Sequence, residues 1–345
     1  MGKDKLNIAI VGTRGAVGQE MRAILEERKF PVGRIRFFGS ARADVKEVSF
    51  QGKLYPIEEL TYTEKDFKDV DIVLSSPGGT VSKKFAPHAV KAGAVVIDNT
   101  SAFRMDPKVP LVVPEINPED ISKHQGIIAN PNCSTIIMLV AVAPLREMSK
   151  LRRIVCATYQ SASGAGAKAM KELETQSGEY LSGKPLTKEA FPHQIAFNVF
   201  SHNSAVSADG YNEEERKVIQ ESKKILHDDK IRIGITCVRV PVFRAHSQAI
   251  FVEFEKAVTH KEAREILEKA PGVKIVDEAA RNYFPMPIEA SGADDVLVGR
   301  IRKDESSDNG LALFVSGDQL RKGAALNAIQ IAEAIVRQSL TSKPL

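Results

Sequence analysis

A short, mostly apolar run with β-branched residues opens the chain: Leu6-Asn7-Ile8-Ala9-Ile10-Val11 reads as a strand. Gly12-Thr13-Arg14-Gly15-Ala16-Val17-Gly18 follows at once, and Val17, Met21, Ile24 and Leu25 then recur at helical spacing. Strand, glycine turn and helix in that order form the start of a βαβ unit. Further strands are expected at 35–38, 71–74 and 94–97, with a helix over 81–92 between the last two. Alternating strands and helices imply a parallel, doubly wound sheet. Asn130-Pro131-Asn132-Cys133-Ser134-Thr135 reads as a loop closing into an apolar helix through Met148.

After Leu151 the pattern changes. Longer β-like runs stand at 153–161, 232–240 and 249–256, separated by helices near 165–182 and 212–228, and 297–301 and 311–315 add two more strands. They predict a mostly antiparallel sheet backed by helices. A final helix from about 320 to 340 carries apolar positions at helical spacing and is expected to return to the first domain.

Composition supports an enzyme-sized globular chain, since 43% of 345 residues are apolar and no stretch is of low complexity. The most apolar segment, 136–145, is about half of what a bilayer requires and contains Pro144. Met1-Gly2-Lys3-Asp4-Lys5 leads straight into the first strand without a signal-peptide core, so a cytoplasmic protein with no membrane partner is expected. The 48 basic and 44 acidic side chains are interleaved to a net charge of +4, which speaks against nucleic acid and suits small anionic ligands. Cys133, Cys156 and Cys237 are too widely spaced for a disulfide framework or a metal site, and no metal is expected.

Gly12, Gly15 and Gly18 follow a GxxGxxG spacing between strand and helix, where backbone N–H groups and the helix dipole favour a pyrophosphate. Gly12, Thr13, Arg14, Gly15, Ala16, Val17 and Gly18 are therefore candidate cofactor contacts. NAD-selective sites carry a carboxylate near the end of the second strand. Here Phe37-Phe38-Gly39-Ser40-Ala41-Arg42 offers Ser40 and Arg42 for a 2′-phosphate instead, which favours NADP and leaves NAD as the alternative. Cys133 stands at a predicted helix start, where a thiolate is favoured, whereas Cys156 and Cys237 sit inside strands as small buried apolar residues. A thiol nucleophile beside a nicotinamide points to aldehyde oxidation through an acyl-thioester, which needs a nearby base. His246, in a loop ahead of a strand and facing a cleft, is the candidate, although spacing by itself does not distinguish it from any other loop histidine.

Together with the glycine turn, Ser-Pro-Gly-Gly-Thr (76–80), Asp-Asn-Thr-Ser-Ala-Phe-Arg (98–104), Val-Pro-Glu-Ile-Asn (113–117), Asn-Pro-Asn-Cys-Ser-Thr (130–135), Gln-Ser-Ala-Ser-Gly-Ala-Gly (160–166) and Arg-Val-Pro-Val-Phe-Arg-Ala-His-Ser (239–247) resemble the aspartate-β-semialdehyde dehydrogenase family. The resemblance runs from the first strand to Leu320-Arg321-Lys322-Gly323-Ala324-Ala325. It implies a reversible, NADP-dependent conversion of 4-phospho-L-aspartate to L-aspartate 4-semialdehyde and phosphate through a thioester on Cys133. That step leads toward lysine, threonine and methionine. The resemblance further implies that His246 is the acid/base, that Gln160 orients the acyl group, and that Asn132 contacts substrate. Arg239 would fork the substrate carboxylate, Glu214 would take its amino group, and Lys217 and Arg104 the phosphate. Ser163, Gly164 and Asn327 would join the cofactor contacts. Which of Glu213, Glu214 and Glu215 meets the substrate stays open.

The implied fold is α/β: a Rossmann-type dinucleotide-binding domain of residues 1–133 plus 321–345, and an α+β catalytic and dimerisation domain of 134–320. A homodimer or homotetramer is expected. Thr13 and Arg14 replace the middle pair of the family's usual Gly-Ala-Thr-Gly turn, and Ala43 and Asp44 depart from its pattern after Arg42, which keeps the choice between NADP and NAD open. The alternatives are an enzyme like N-acetyl-γ-glutamyl-phosphate reductase, whose acetylated amine has no use for Glu214, and a non-catalytic NADPH-binding relative.

Overall fold

In the computed structural model, which describes residues 5–40 and 45–341, β1 (Leu6–Val11) is the middle strand of a first sheet. Its last four residues are fully buried, as an unbroken apolar run between two helical layers requires. The chain continues through α1 (Ala16–Glu27), β2 (Val32–Phe38), the hairpin β3 (Glu47–Phe50) and β4 (Lys53–Glu58), then β5 (Ile72–Ser75), α2 (Gly79–Lys91), β6 (Val95–Asp98) and β7 (Ile127–Ala129). Among the described residues the strand order is β3-β4-β2-β1-β5-β6-β7, and every pairing except β3 with β4 is parallel. The direction of winding reverses beside β1, so the glycine turn lies at the crevice where such sheets bind ligands.

Met21, Ile24 and Leu25 of α1 cover one face together with Ile329 and Ile331 of the C-terminal helix Leu326–Thr341. Phe85, Ala86 and Ala89 of α2 cover the other, where Phe85 and Phe67 stack at 5.5 Å. The hairpin and the three-residue β7 escape the apolar pattern: β3 and β4 are half-exposed and charged, and β7 is too short to show a period.

The unit that this helix completes runs to Asn132 and resumes at Ala324; the other spans Cys133–Gly323. The second unit opens with α3 (Cys133–Val142), buried all round beyond its first residue. The α-helix stops at Val142 rather than Met148, because Pro144 has no N–H to continue it, and a 3₁₀ turn Ala143–Glu147 follows. Then come β8 (Leu151–Gln160), α4 (Ala167–Leu181), β9 (Phe200–Ser201), α5 (Glu213–Leu226), β10 (Arg232–Arg239), β11 (His246–Phe254), α6 (His260–Leu267), β12 (Val273–Ile275), α7 (Pro287–Ala290), β13 (Val296–Lys303) and β14 (Gly310–Gly317).

Their order is β12-β13-β14-β11-β8-β10-β9. The sheet is mostly antiparallel, as expected, but mixed, since β8 with β10 and β12 with β13 run parallel while the other four pairings are antiparallel. On β8 buried and exposed residues largely alternate, so the second sheet has one face on the core and one open face that exposes Tyr159 and Phe251. The predicted last helix begins six residues late, at Leu326, behind a π-turn Arg321–Ala325. Among the described residues no helix is long and apolar enough to cross a membrane.

One buried carboxylate holds the carboxyl end of β6. Asp98 accepts hydrogen bonds from Ser75 Oγ (3.0 Å), Ser82 Oγ (2.9 Å), Thr100 N (3.1 Å) and Thr100 Oγ1 (2.8 Å). Replacing it leaves these donors buried without a partner. Asp98→Ala is expected to cost about 2–4 kcal/mol. The measurement is the chemical-denaturation transition, and a loss below about 0.5 kcal/mol, the level of an ordinary surface substitution, would contradict this account.

Candidate active site

The first unit offers a cleft of about 590 Å³ lined by Gly12, Arg14, Gly15, Gly39, Ser40 and Ser76, among others. Gly12 has φ +87°, and a Cβ there would stand 2.7 Å from the Ser76 carbonyl; a Cβ on Gly18 would stand 2.4 Å from Gly12 O. Only glycine lets the turn pass so close to the neighbouring strand and to its own helix. Gly15 caps α1 without a side-chain hydrogen bond, so the helix's first N–H groups face the turn, an arrangement that fits a pyrophosphate. Arg14 donates to Val45 O (2.8 Å) and to Ser40 O, which places its guanidinium beside the end of β2. The Thr13 side chain is fully buried, with no hydrogen-bond partner for its hydroxyl among the described residues. Arg42 lies outside the described residues.

Elsewhere in the first unit, Asn130 ties together three segments. Its Nδ2 donates to Asn99 Oδ1 (2.6 Å) and Ala324 O (3.1 Å), while its Oδ1 accepts from Asn327 Nδ2 (2.6 Å). Asn327 also donates to Val112 O (2.9 Å), so its amide nitrogen is spent on the protein itself rather than turned to the glycine cleft. Arg104, nearly buried, donates to Asn130 O (2.9 Å) and Asn99 O (2.8 Å). Both side chains thus shape the loop that carries the nearly buried Asn132.

In the second unit, register assembles the rest. β8 and β10 run parallel with Gln160 opposite Arg239, and β11 runs antiparallel with Tyr159 opposite Ser247, which brings His246 to the same end of the sheet. Cys133 opens α3, whose start is fixed to these strands: Gln160 Nε2 donates to Ser134 Oγ (3.0 Å) and Gln248 Nε2 to Ser134 O (2.9 Å). Ser163 and Gly164 lie in the turn after β8. A Cβ on Gly164 would stand 2.8 Å from His246 Cε1 and 2.9 Å from Arg239 Nη1, so glycine leaves these two groups room to approach. Ser163 Oγ accepts from Gln319 and lies 3.0 Å from Ser161 Oγ.

His246 is not in a loop, as the sequence suggests. It is the first residue of β11 and fully buried, because the strand begins right after Ala245. Ala245 adopts φ +69° and donates to Gln319 Oε1 (2.9 Å), a strained residue held by its surroundings. The ring is oriented by Ser161, whose N and Oγ lie 3.1 and 3.0 Å from Nδ1; Nε2 has no hydrogen-bond partner among the described residues. Burial first, then Arg239 and His202, push its pKa well below the ordinary histidine value, so the ring is neutral at neutral pH.

Arg239 is buried, donates from Nη1 to Ser161 O (3.2 Å), lies over the Phe191 ring, and keeps a buried Nε without a partner among the described residues. Burial lowers its pKa, and Glu214 and Cys133 oppose that shift. Of the three glutamates opening α5, Glu213 is exposed. Glu215 closes a capping box with Asn212 and accepts the Cys237 N–H (3.0 Å). Glu214 is buried, carries Lys217 at 3.8 Å, and acts on both His202 and Arg239. Charge counting along the sequence cannot make that distinction; burial sets Glu213 apart, and the capping hydrogen bonds set Glu215 apart from Glu214.

His202, absent from the sequence expectations, lies within the same group, with Nε2 2.8 Å from Arg239 Nη2. It stands just past the two-residue β9, too short to leave a pattern, and its only signal is a polar residue beside an edge strand. Among the three cysteines, Cys133 is partly accessible. Burial raises the thiol pKa of Cys156, and pushes that of Cys237 up to about 12.

Residues 7–124 match the semialdehyde dehydrogenase NAD binding domain, and residues 142–322 the semialdehyde dehydrogenase dimerisation domain. The chain is 53% identical to an aspartate-semialdehyde dehydrogenase of Synechocystis over 96% of this chain and 98% of the relative. The one of Aquifex aeolicus is 50% identical, with the same shares covered. A crystal structure of aspartate semialdehyde dehydrogenase II from Vibrio cholerae, complexed with ASA, superposes with a TM-score of 0.93 at 43% identity, covering 97% of this chain and 99% of that one.

The accessibility of the three thiols gives a direct test. Iodoacetamide at neutral pH is expected to label the native protein at Cys133 alone, with Cys156 and Cys237 reacting only after unfolding. Peptide mass spectrometry showing native labelling at Cys156 or Cys237 as fast as at Cys133 would refute this assignment.

Proposed function

The chain belongs to the aspartate-semialdehyde dehydrogenase family, and on that premise we propose that it interconverts 4-phospho-L-aspartate and L-aspartate 4-semialdehyde through a thioester on Cys133. The observation that carries this reading is the convergence of a helix-opening cysteine, a neutral buried imidazole and a buried arginine at one end of one sheet. The reaction belongs to the route from aspartate to lysine, threonine and methionine, and the enzyme works in the cytoplasm.

In the reductive direction the His246 imidazole takes the thiol proton as Cys133 Sγ attacks the acyl carbon. The C–S bond forms, the bond from carbon to the phosphoryl oxygen breaks, and phosphate leaves with the electron pair. NADPH, when bound, supplies the hydride that reduces the thioester. Protonated His246 gives its proton to the former carbonyl oxygen, then takes it back as the C–S bond breaks and the aldehyde leaves. Gln160, anchored to Ser134, orients the acyl group. Arg239 forks the α-carboxylate, for which its buried, unpartnered Nε is suited, and Glu214 pairs with the substrate amine. Lys217 and Arg104 take the phosphate, and Asn132 contacts substrate.

The glycine cleft would hold the cofactor through Gly12, Thr13, Arg14, Gly15, Ala16, Val17 and Gly18, with Ser40 and Arg42 the candidates for the 2′-phosphate of NADP and Arg14 a further cation lining the cleft. Ser163 and Gly164 are its further contacts in this reading, while Asn327 holds the Asn130 loop. Copies of the chain pair through the open face of the second sheet, where Tyr159 and Phe314 stack at 6.2 Å beside the exposed Phe251, into a homodimer.

Phosphate-dependent reduction of NADP by aspartate 4-semialdehyde is the assay. Cys133→Ala is expected to lower turnover by at least about a thousandfold; a loss below about tenfold would remove the nucleophile from the scheme. Arg239→Lys, which keeps the charge but loses the fork, is expected to raise the KM for semialdehyde by about tenfold or more and to leave the KM for NADP unchanged. Equal effects on both would reject the carboxylate role.

A further inference from the structure

His202 is held on both sides. Its backbone N–H donates to Cys237 O (2.8 Å), which continues the short antiparallel pairing in which Phe200 faces Arg239 and fixes the ring beside the end of β10. Its Nε2 lies 2.8 Å from Arg239 Nη2, and since a guanidinium only donates, Nε2 is the acceptor. Two groups of Ser204 stand at Nδ1, its Oγ at 3.0 Å and its N–H at 3.2 Å; because the shorter guanidinium contact takes the lone pair of Nε2, the neutral ring carries its proton on Nδ1 and gives it to Ser204 Oγ, and the Ser204 N–H contact is no hydrogen bond in this tautomer. Ser204 Oγ in turn accepts the Glu214 N–H (3.2 Å), at the start of α5.

A continuous chain of hydrogen bonds thus runs from Arg239 through His202 and Ser204 to the helix turn that carries Glu214 and Lys217. Burial and Arg239 push the imidazole pKa down to about 4, against the opposing pull of Glu214, so the acceptor is available throughout the physiological range.

We infer that His202 is a positioning residue for substrate recognition: as a neutral acceptor it fixes the plane of the Arg239 guanidinium and couples it to the backbone that presents Glu214. The inference rests on the reading of Arg239 and Glu214 as the groups that bind the two charged ends of the amino acid. The chemistry explains why a histidine stands here. A carboxylate in this place would orient the arginine equally well, but it would neutralise the charge and compete with the substrate carboxylate. A neutral imidazole orients the fork and leaves its charge for the ligand. The remaining N–H groups of Arg239, the unpartnered Nε among them, are thereby aimed before substrate arrives, which lowers the ordering cost of binding.

The test uses the full-length enzyme, with aspartate 4-semialdehyde, phosphate and NADP as the varied ligands. His202→Ala is expected to raise the KM for semialdehyde about tenfold, with kcat and the KM for NADP within about threefold of the parent. His202→Gln, whose Oε1 can reach near the position of Nε2, is expected to restore most of that KM. His202→Asn, whose amide reaches only to the level of Nδ1, is not. An unchanged KM in the alanine variant, or a fall in kcat without a rise in KM, would overturn the inference. If the alanine variant does not fold, the pair Gln and Asn decides: equal KM values overturn it, and a higher KM for Asn at equal melting temperature upholds it. Arg239→Lys separates the two levels. If it leaves the semialdehyde KM unchanged, the carboxylate role itself fails. If it raises that KM while His202→Ala does not, only the role of His202 fails.

Discussion

β8 has a parallel neighbour on one side and an antiparallel neighbour on the other, and the candidate site depends on that arrangement. Because β10 runs with β8, its last residue, Arg239, ends beside Gln160. Because β11 runs against it, its first residue, His246, enters at the same end. Three side chains from positions 160, 239 and 246 therefore meet without any of them lying on a flexible loop. Ser134 locks the opening of α3 to the same strands through Gln160 and Gln248, which places the helix of the candidate nucleophile on the frame that holds these side chains. A slip of one residue in β10 would turn Arg239 to the opposite face of the sheet.

Positive charge without full compensation is the electrostatic theme of the second unit. Arg239 and His246 are buried, His202 lies against them, and burial disfavours the charged form of each. The two histidines yield and stay neutral; the guanidinium has the highest intrinsic pKa and serves as the fixed charge. Under the proposed chemistry the compensating charge arrives with the ligand, as carboxylate and phosphate. Among the described residues, the unpartnered Nε of Arg239, the unpartnered Nε2 of His246 and the left-handed Ala245 are local costs gathered in one place, a distribution expected where binding rather than stability has set the geometry.

The first unit solves a different problem by different means. Its turn at β1 relies on the backbone, with Gly12 and Gly18 allowing approaches that no side chain would permit and Gly15 leaving the start of α1 uncapped by a side chain. Arg14, where the resemblance leads one to expect threonine, reaches across to Ser40 O and Val45 O, so the altered turn brings a cation to the edge of the nucleotide cleft.

Local pattern along the chain was enough for the strand–turn–helix start, for the change from a parallel to a longer-stranded sheet, and for separating Cys133 at a helix start from Cys156 and Cys237 in strands. These features have periods or neighbours within a few residues, so hydrogen bonding and burial act on them locally. The half-polar hairpin, the parallel pairings inside the second sheet and the position of His246 in a strand were not legible, because they depend on which distant segment supplies the neighbouring backbone. The same holds for Glu214 against Glu213 and Glu215, and for His202: burial, hydrogen bonding and register select among chemically identical or unremarkable side chains. The sequence by itself determined the two kinds of sheet and the candidate nucleophile; the tertiary structure decided which side chains surround it, since pairing between strands far apart in sequence is a non-local choice that no window of residues contains.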